Sequence, residues 1–245
     1  EELNRFFESI GEPKFRAKQA WEWIWQKQAH SIDEMTNLSK PLREKLKDSF
    51  TLPALTIDTI QYSSDGTIKS RFRTREGHMV EGVMIPTESR ITACVSSQIG
   101  CSLSCKFCAT GYLPRKRNLD FDEIVDEVVL INQQAERING RKLSNIVFMG
   151  MGEPLLNYSN VIKAIERISA PDGLGMSPRR ITVSTAGVSK MIRQLGDDQV
   201  RFKLALSLHA ANDAKRNEIM PINESNDLAS LIDALNYFYR KTKNE

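Results

Sequence analysis

Hydrophobic and polar positions change their period twice along this chain. Over the first fifty or so residues the spacing is helical. Within Phe15–Ala29, Trp21, Ile24, Trp25 and Gln28 fall three and four apart, with Trp23 off the stripe, which predicts an amphipathic helix on a small helical core. Ser31 with Glu34 predicts a capping box, and Ser39 predicts the cap of a helix over Lys40–Phe50. After Leu52-Pro53 the period drops to two. Leu55–Tyr62, Thr67–Thr74 and His78–Ile85 read as strands, joined by turns at Ser64-Asp65-Gly66 and Glu76-Gly77.

From Ile91 a third pattern takes over: a short apolar run, a loop, an amphipathic helix, repeated. Ile91–Ser96 precedes a cysteine-rich loop and a helix over Phe121–Ile138, with Asp120 and Glu123 as its capping box. Asn145–Met149 leads through Gly150-Met151-Gly152-Glu153-Pro154 to a helix after Ser159. Ile181–Val183 leads through Ser184-Thr185-Ala186-Gly187 to a helix ending near Leu195, and Phe202–Leu208 leads into further helix, the last over Asp227–Arg240. Such alternation means βαβ units on a parallel sheet, curled by right-handed crossovers towards a TIM-like barrel. The units are too few to close one. The expected class is α/β, a partial TIM-like (β/α) barrel with an N-terminal helical domain. The expected divisions are a helical accessory domain over 1–52, a β-rich connecting segment over 53–86 and an incomplete barrel core over 87–245.

Composition narrows the class without naming a function. With 40% hydrophobic and 27% charged residues among 245, the chain is an ordinary globular protein. No apolar run approaches the ~18 residues of a membrane span, so no membrane partner is expected. No targeting segment is visible, and the cysteines read as reduced; both point to the cytoplasm. A net charge of +3 does not announce a nucleic-acid partner, but its distribution says more. Lys106, Arg115, Lys116 and Arg117 lie in a stretch without acids, and Lys69, Arg71, Arg73 and Arg75 alternate along a strand. A run of that kind is ordinarily a solvated face. Beside a catalytic loop it predicts contacts to a phosphate backbone.

The chemistry is concentrated in one place. All four cysteines lie within CVSSQIGCSLSCKFC, Cys94 to Cys108. Cys101, Cys105 and Cys108 have the spacing C-x3-C-x2-C, with Phe107 before the last. Structural zinc wants four closed ligands, usually from paired knuckles, and there is no second knuckle here. The favoured reading is an iron–sulfur cubane held by three thiolates with one iron open. A closed site with Cys94 as fourth ligand and a disulfide pair are the alternatives. At the carboxyl ends of the later strands stand Gly152-Glu153, Ser184 and Ser207-Leu208-His209, where the mouth of a parallel barrel collects its active site. Each alone has a plain structural explanation: tight turns at Gly152, a helix-end acid in Glu153, a turn-forming serine and a core histidine. Their shared location argues otherwise.

The C-x3-C-x2-C trio with its aromatic neighbour resembles radical S-adenosylmethionine enzymes. VSSQIGCSLSCKFCATG, GMGEPLLNY, ITVSTAGV and ALSLHAANDAKRNEIMPIN resemble, more narrowly, the RlmN/Cfr family of RNA adenine methyltransferases. The likeness is tight from Glu81 to Asn223 and looser in the N-terminal helices. It implies a [4Fe-4S] cluster on Cys101, Cys105 and Cys108, and S-adenosylmethionine held by Gly152, Glu153, Ser184, Ser207, Leu208 and His209. It implies Glu81 as general base and Cys94 as a resolving cysteine, which closes a disulfide with a methyl-carrying cysteine later in the chain. Taken alone, Glu81 is an acid on an exposed strand face and Cys94 a small buried hydrophobe.

The implied reaction methylates carbon 2 of adenine in 23S ribosomal RNA and transfer RNA; the related alternatives are methylation at carbon 8 and a non-catalytic RNA-binding module. The implied partners are those RNAs and a one-electron donor such as flavodoxin or ferredoxin, with the protein a monomer. No cysteine follows Cys108. The family's methyl-carrying cysteine, a later asparagine contact to the cofactor and the last strands are therefore expected to lie in a longer protein, with this chain unable to complete methyl transfer alone.

Overall fold

The computed structural model describes residues 2–243. The helical N-terminus comprises α1 (Glu2–Ser9), α2 (Lys14–Trp25), a single 3-10 turn at Ile32–Glu34 and α3 (Lys40–Ser49). Phe7, Ala17, Ala20, Ile32, Met35, Leu38, Leu42 and Leu46 close its own small core. The predicted capping box serves only the 3-10 turn: the Asp33 amide donates to Ser31 Oγ at 3.1 Å and the His30 amide to Glu34 Oε1 at 3.1 Å. Ser39 stands at the N-cap of α3 without a side-chain bond, because Pro41 removes a first-turn donor.

α2 corrects one expectation. Its tryptophans do not all belong to the small core. Trp25 stacks on Phe121, with ring centroids 6.3 Å apart, and Trp21 Nε1 donates to Asp172 at 2.8 Å. The Arg167 guanidinium lies 5.0 Å from the Trp21 ring centroid and 5.4 Å from that of Trp25. Of the three tryptophans only Trp23 packs on the helical core, together with Ala17, Ala20 and Ile24. α2 thus has two working faces, which a single 3.6-residue stripe does not reveal.

One seven-stranded sheet forms the rest: β1 (Leu55–Tyr62), β2 (Ile68–Thr74), β3 (Met79–Pro86), β4 (Ile91–Val95), β7 (Asn145–Phe148), β8 (Ile181–Thr185) and β9 (Lys203–Leu206), in that order. β1 to β4 pair antiparallel, and β4, β7, β8 and β9 pair parallel. The period-two segment is thus continuous with the parallel strands. A two-stranded ladder, β5 (Gln98–Ile99) with β6 (Arg117–Asn118), brackets the cysteine loop. Helices α4 (Phe121–Asn139), α5 (Tyr158–Ser169), α6 (Ser189–Asp197), α7 (Asp213–Ile219) and α8 (Leu228–Thr242) complete the chain.

The apolar faces explain the layering. Ile68, Phe72, Val80, Met84, Ala93, Val95, Ile146, Phe148, Ile181 and Val183 are buried on the sheet with Ile124, Val128 and Ile131 of α4. Each such side chain taken out of water contributes about 1.5–3 kcal/mol. The intervening residues Lys69, Arg71, Glu81, Val83, Cys94, Val147, Thr182, Ser184 and Lys203 share the opposite face by strand alternation and register. The basic alternation of β2 is there, but it is spoken for. Arg71 and Arg73 both pair with Asp58, beside a bulge in β1, and hold its carboxyl well below the usual range. Lys69 pairs with Glu81 at 2.8 Å, and Arg75 donates to the Thr51 carbonyl at 2.9 Å. Lys69, Arg71 and Arg73 thus pair with acids of the sheet itself.

α4 also brings polar side chains inside. Its capping box forms as expected, with the Asp120 amide donating to Glu123 Oε2 at 2.9 Å. One turn further on, Glu127 is 0% exposed, and its two oxygens share the Ser96 amide at 3.1 and 3.2 Å. Gly82 makes room for it, since a Cβ there would sit 2.6 Å from Glu127 Oε1. No cation pairs with Glu127 among the described residues, and burial pushes its carboxyl well above the usual range. In that state the folded protein keeps a proton the unfolded chain would release. Stability should therefore be fullest below the ordinary carboxyl range and fall as pH rises from there towards the raised value. Glu127→Gln, which keeps an acceptor for Ser96 and cannot ionise, is expected to flatten that slope, worth up to about 1.4 kcal/mol per pH unit. Denaturant melts at several pH values check this, and an unchanged slope would count against a protonated Glu127.

Candidate active site

The cysteine loop is closed on itself by its own backbone. The Cys101 amide donates to the Leu113 carbonyl at 3.4 Å, Cys108 to Cys105 at 3.1 Å, and Gly111 to Cys108 at 2.9 Å. Two glycines are required by space. A Cβ at Gly100, where φ is +75°, would meet the Pro114 carbonyl at 2.3 Å, and one at Gly111 would meet that of Cys105 at 2.6 Å. Tyr112 Oη donates to the Lys106 carbonyl at 2.7 Å, and the Lys106 amide donates to the Ile219 carbonyl at 2.9 Å, pinning the loop to the end of α7.

All four cysteines are free thiols. Burial pushes Cys105 up to about 11, and its neighbours Cys101, Cys108 and Glu153 push in the same direction. Cys101 is raised by burial first, with Glu153 and Cys108 adding to it. Cys101 and Cys105 thus sit close to each other and to Cys108, where a cationic centre would favour their thiolates. No three His, Cys, Asp or Glu side chains among the described residues converge tightly enough for a single ion. Cys101, Cys105 and Cys108 are soft thiolate donors of the kind an iron–sulfur cluster takes. Cys94 lies apart, on β4 opposite Val83, with its thiol pushed up to about 11 by burial and by Glu127 where that group ionises.

The turn after β7 joins this loop from the side. Gly152 has φ +92°, and a Cβ there would lie 2.4 Å from Gln98 Cβ. Gln98 is buried, and its Oε1 accepts from the Glu153 amide at 3.0 Å. Glu153 departs from the picture of an acid open to a ligand. It is 3% exposed, its Oε1 accepting from the Leu155 amide at 3.0 Å and its Oε2 from the Ala186 amide at 2.7 Å. Burial raises its pKa, and the Ala186 amide, the Thr185 hydroxyl and the Leu155 amide oppose the rise. The side chain therefore welds the β7 turn to the β8 turn. A ligand at this turn would meet the main chain around Gly152 instead.

The ends of β8 and β9 complete the rim. Ser184 Oγ and Ser207 Oγ are 3.2 Å apart, and the Ser207 amide donates to the Thr185 carbonyl at 2.9 Å. Leu208 is 47% exposed. His209 has a left-handed φ of 56°, and its ring centroid is 4.0 Å from that of Phe107, the residue before Cys108. Loop and rim thus touch. Glu81 lies on β3 two residues before Val83, the cross-strand partner of Cys94, so both side chains occupy one sheet face. Its carboxylate is occupied by Lys69 in a half-exposed pair.

Sequence reasoning missed the buried polar residues behind this rim. Ser96 Oγ donates to the Glu81 carbonyl at 2.6 Å and accepts from the Met151 amide at 2.8 Å. Asn157 Nδ2 donates to the carbonyls of Ser97 and Leu119 at 2.8 and 2.7 Å. Arg216 is 0% exposed. A cavity of about 1010 Å³ lies elsewhere, between the N-terminal helices and α4, lined by Trp21, Trp25, Phe121 and Arg167. It contains none of the groups above, and the chemistry points to the rim. No helix among the described residues is long and apolar enough to cross a membrane.

The family model described as "Radical SAM superfamily" matches residues 95–242, and that described as "Ribosomal RNA large subunit methyltransferase N-terminal domain" matches residues 1–52. The chain is 55% identical to a probable dual-specificity RNA methyltransferase RlmN of Cytophaga hutchinsonii, over 99% of this chain and 66% of that protein. A protein of the same name from Christiangramia forsetii is also 55% identical, over 99% of this chain and 69% of its own length. The crystal structure of a radical SAM methyltransferase from Sphaerobacter thermophilus superposes with a TM-score of 0.94 at 39% identity, over 100% of this chain and 72% of that one. The chain thus spans about two thirds of the length of the curated relatives it matches. With this identity along nearly its whole length, the chain belongs to the RlmN family of the radical SAM superfamily.

Proposed function

We propose that this chain carries the cluster- and cofactor-binding part of an RNA methyltransferase acting on carbon 2 of adenine in 23S ribosomal and transfer RNA. The observation that carries the reading is the presence of three free thiols in one self-closed loop after β4, with Cys101, Cys108 and Glu153 each acting on Cys105. The target carbon and the RNA classes are those the motif resemblance implies, and the relatives' name of dual-specificity RNA methyltransferase RlmN supports an RNA methyltransferase. Cys101, Cys105 and Cys108 would hold a [4Fe-4S] cluster, which would bind S-adenosylmethionine. When bound, the cluster supplies the electron for reductive cleavage of that cofactor. The main chain at Gly152-Glu153 receives its amino end, with Ser184, Ser207, Leu208 and His209 along the rest.

Glu81 and Cys94 serve the RNA side. The half-exposed Lys69–Glu81 pair opens at little cost, freeing a carboxylate to take a proton from the base. Cys94 keeps its proton until a neighbouring base removes it, because burial disfavours the thiolate. A one-electron donor protein of the flavodoxin or ferredoxin kind, a cytoplasmic site of action and a monomeric state complete the proposal.

Anaerobic reconstitution tests it. Iron and sulfide near four per chain are expected, and Ala at any one of Cys101, Cys105 or Cys108 should lose them, whereas Cys94→Ala should retain them. Iron lost from Cys94→Ala alone would overturn the ligand set. Glu153 separates support from ligation. Glu153→Ala leaves the buried Ala186 and Leu155 amides without acceptors, at about 1–3 kcal/mol each. The melting temperature of the cofactor-free protein should therefore drop before any cofactor is added. An unchanged melt with weakened S-adenosylmethionine binding would instead make the carboxylate a direct ligand.

A further inference from the structure

We propose that Arg216 is a positioning residue of the cofactor pocket, fastening the ends of β8 and β9 together and holding His209 in its left-handed conformation. The proposal rests on the reading above for Ser184 and Ser207 to His209. Arg216 lies on α7 and is completely buried. Its Nε donates to the Leu208 carbonyl at 3.1 Å. Its Nη2 donates to the Ala186 carbonyl at 2.5 Å and the Ser207 carbonyl at 3.3 Å, and its Nη1 donates to Asn223 Oδ1. Asn223 is turned to accept because its Nδ2 donates to Asp213 at 2.8 Å and Asn217 at 2.6 Å. One planar fork thus gathers carbonyls from two strand ends, a division of labour that a lysine's single ammonium cannot reproduce.

The held segment is strained. The Ala210 amide donates to the Leu208 carbonyl at 2.7 Å across His209, whose φ is 56°, a three-residue turn that non-glycine residues adopt only when surroundings force it. The same Leu208 carbonyl accepts from Arg216. Removing the guanidinium releases the constraint that aims His209 at Phe107. A purely structural arginine would not need a cation here. No carboxylate forms an ion pair with it among the described residues, so the charge is buried at a cost that neutral packing would avoid. The charges of Asp213 and, less, of Cys105 would favour its cation, and the end carbonyl of its helix α7 receives the Lys106 amide of the cysteine loop.

Two variants and two measurements test the clasp. In cofactor-free protein, Arg216→Lys should speed hydrogen exchange of the amides over 185–188 and 207–211 by about tenfold or more, with α4 and α5 unchanged. In reconstituted protein of equal iron content, calorimetry should show S-adenosylmethionine binding weakened about tenfold. Asn223→Ala, which leaves the guanidinium but removes its anchor, should give a smaller loss of a few-fold. Parent-like exchange in both segments, or affinity within about twofold of the parent despite loosened segments, would overturn the proposal. Should Arg216→Lys not fold, Asn223→Ala decides: a few-fold loss supports the clasp and parent-like affinity refutes it. A parent protein that binds no S-adenosylmethionine would refute the pocket assignment, and the exchange measurement would then judge the clasp alone.

Discussion

At the carboxyl ends of β4, β7, β8 and β9 the main chain leaves the sheet, and its amides and carbonyls must find partners no neighbouring strand can supply. Unpaired, each would cost about as much as a lost buried hydrogen bond. Here side chains take the strands' place. Ser96, Gln98, Glu153, Asn157 and Arg216 are at most 3% exposed, and each bonds backbone across a turn or between two turns. The rim is therefore a continuous polar weld under the surface that a ligand would meet. Its members are all satisfied, the condition under which a buried polar network specifies one geometry.

The weld also explains why loops of such irregular shape can be precise. The cysteine loop has no regular structure apart from short turns, yet it is tied at Gly100 to Pro114 by close approach and at Lys106 to the end of α7 by a hydrogen bond. The β7 turn is tied to the cysteine loop through Gln98 and to the β8 turn through Glu153. The β9 end is tied to the β8 end through Arg216. Residues that would touch cofactor are thus held from behind by residues that would not, the arrangement that keeps reacting groups in place.

What could be read in advance follows the same physics. The period-two run at Leu55–Tyr62 matches β1 residue for residue, and the capping box at Asp120 and Glu123 opens α4 as expected. Regular elements announce themselves where burial repeats at their period, as it does along β2. The β5–β6 ladder did not, since two-residue strands have no period to detect. The cysteine trio and the rim residues were legible as motifs, and the structure brings the loop and His209 together through Phe107. That the Glu153 carboxylate is turned inward was not legible, because acid at a helix start looks the same whether it faces ligand or amide. Arg216 was invisible for a similar reason. It sits in a short polar helix without an apolar stripe, and only the third dimension puts it inside.

The two faces of α2 have a consequence of another kind. Ala17, Ala20 and Ile24 belong to the N-terminal core while Trp25 packs against the main one, and Trp21 is bonded to Asp172. Further bonds run from the Ala54 amide to Asp126 at 2.6 Å and between His30 and Gln133 at 2.8 Å. A module on a slack tether would sample a cloud of positions and contribute only an effective concentration. One that shares a helix between two cores behaves as a ruler. The N-terminal helices are thereby held at a set reach and angle from the sheet, and the length of α2 fixes that reach.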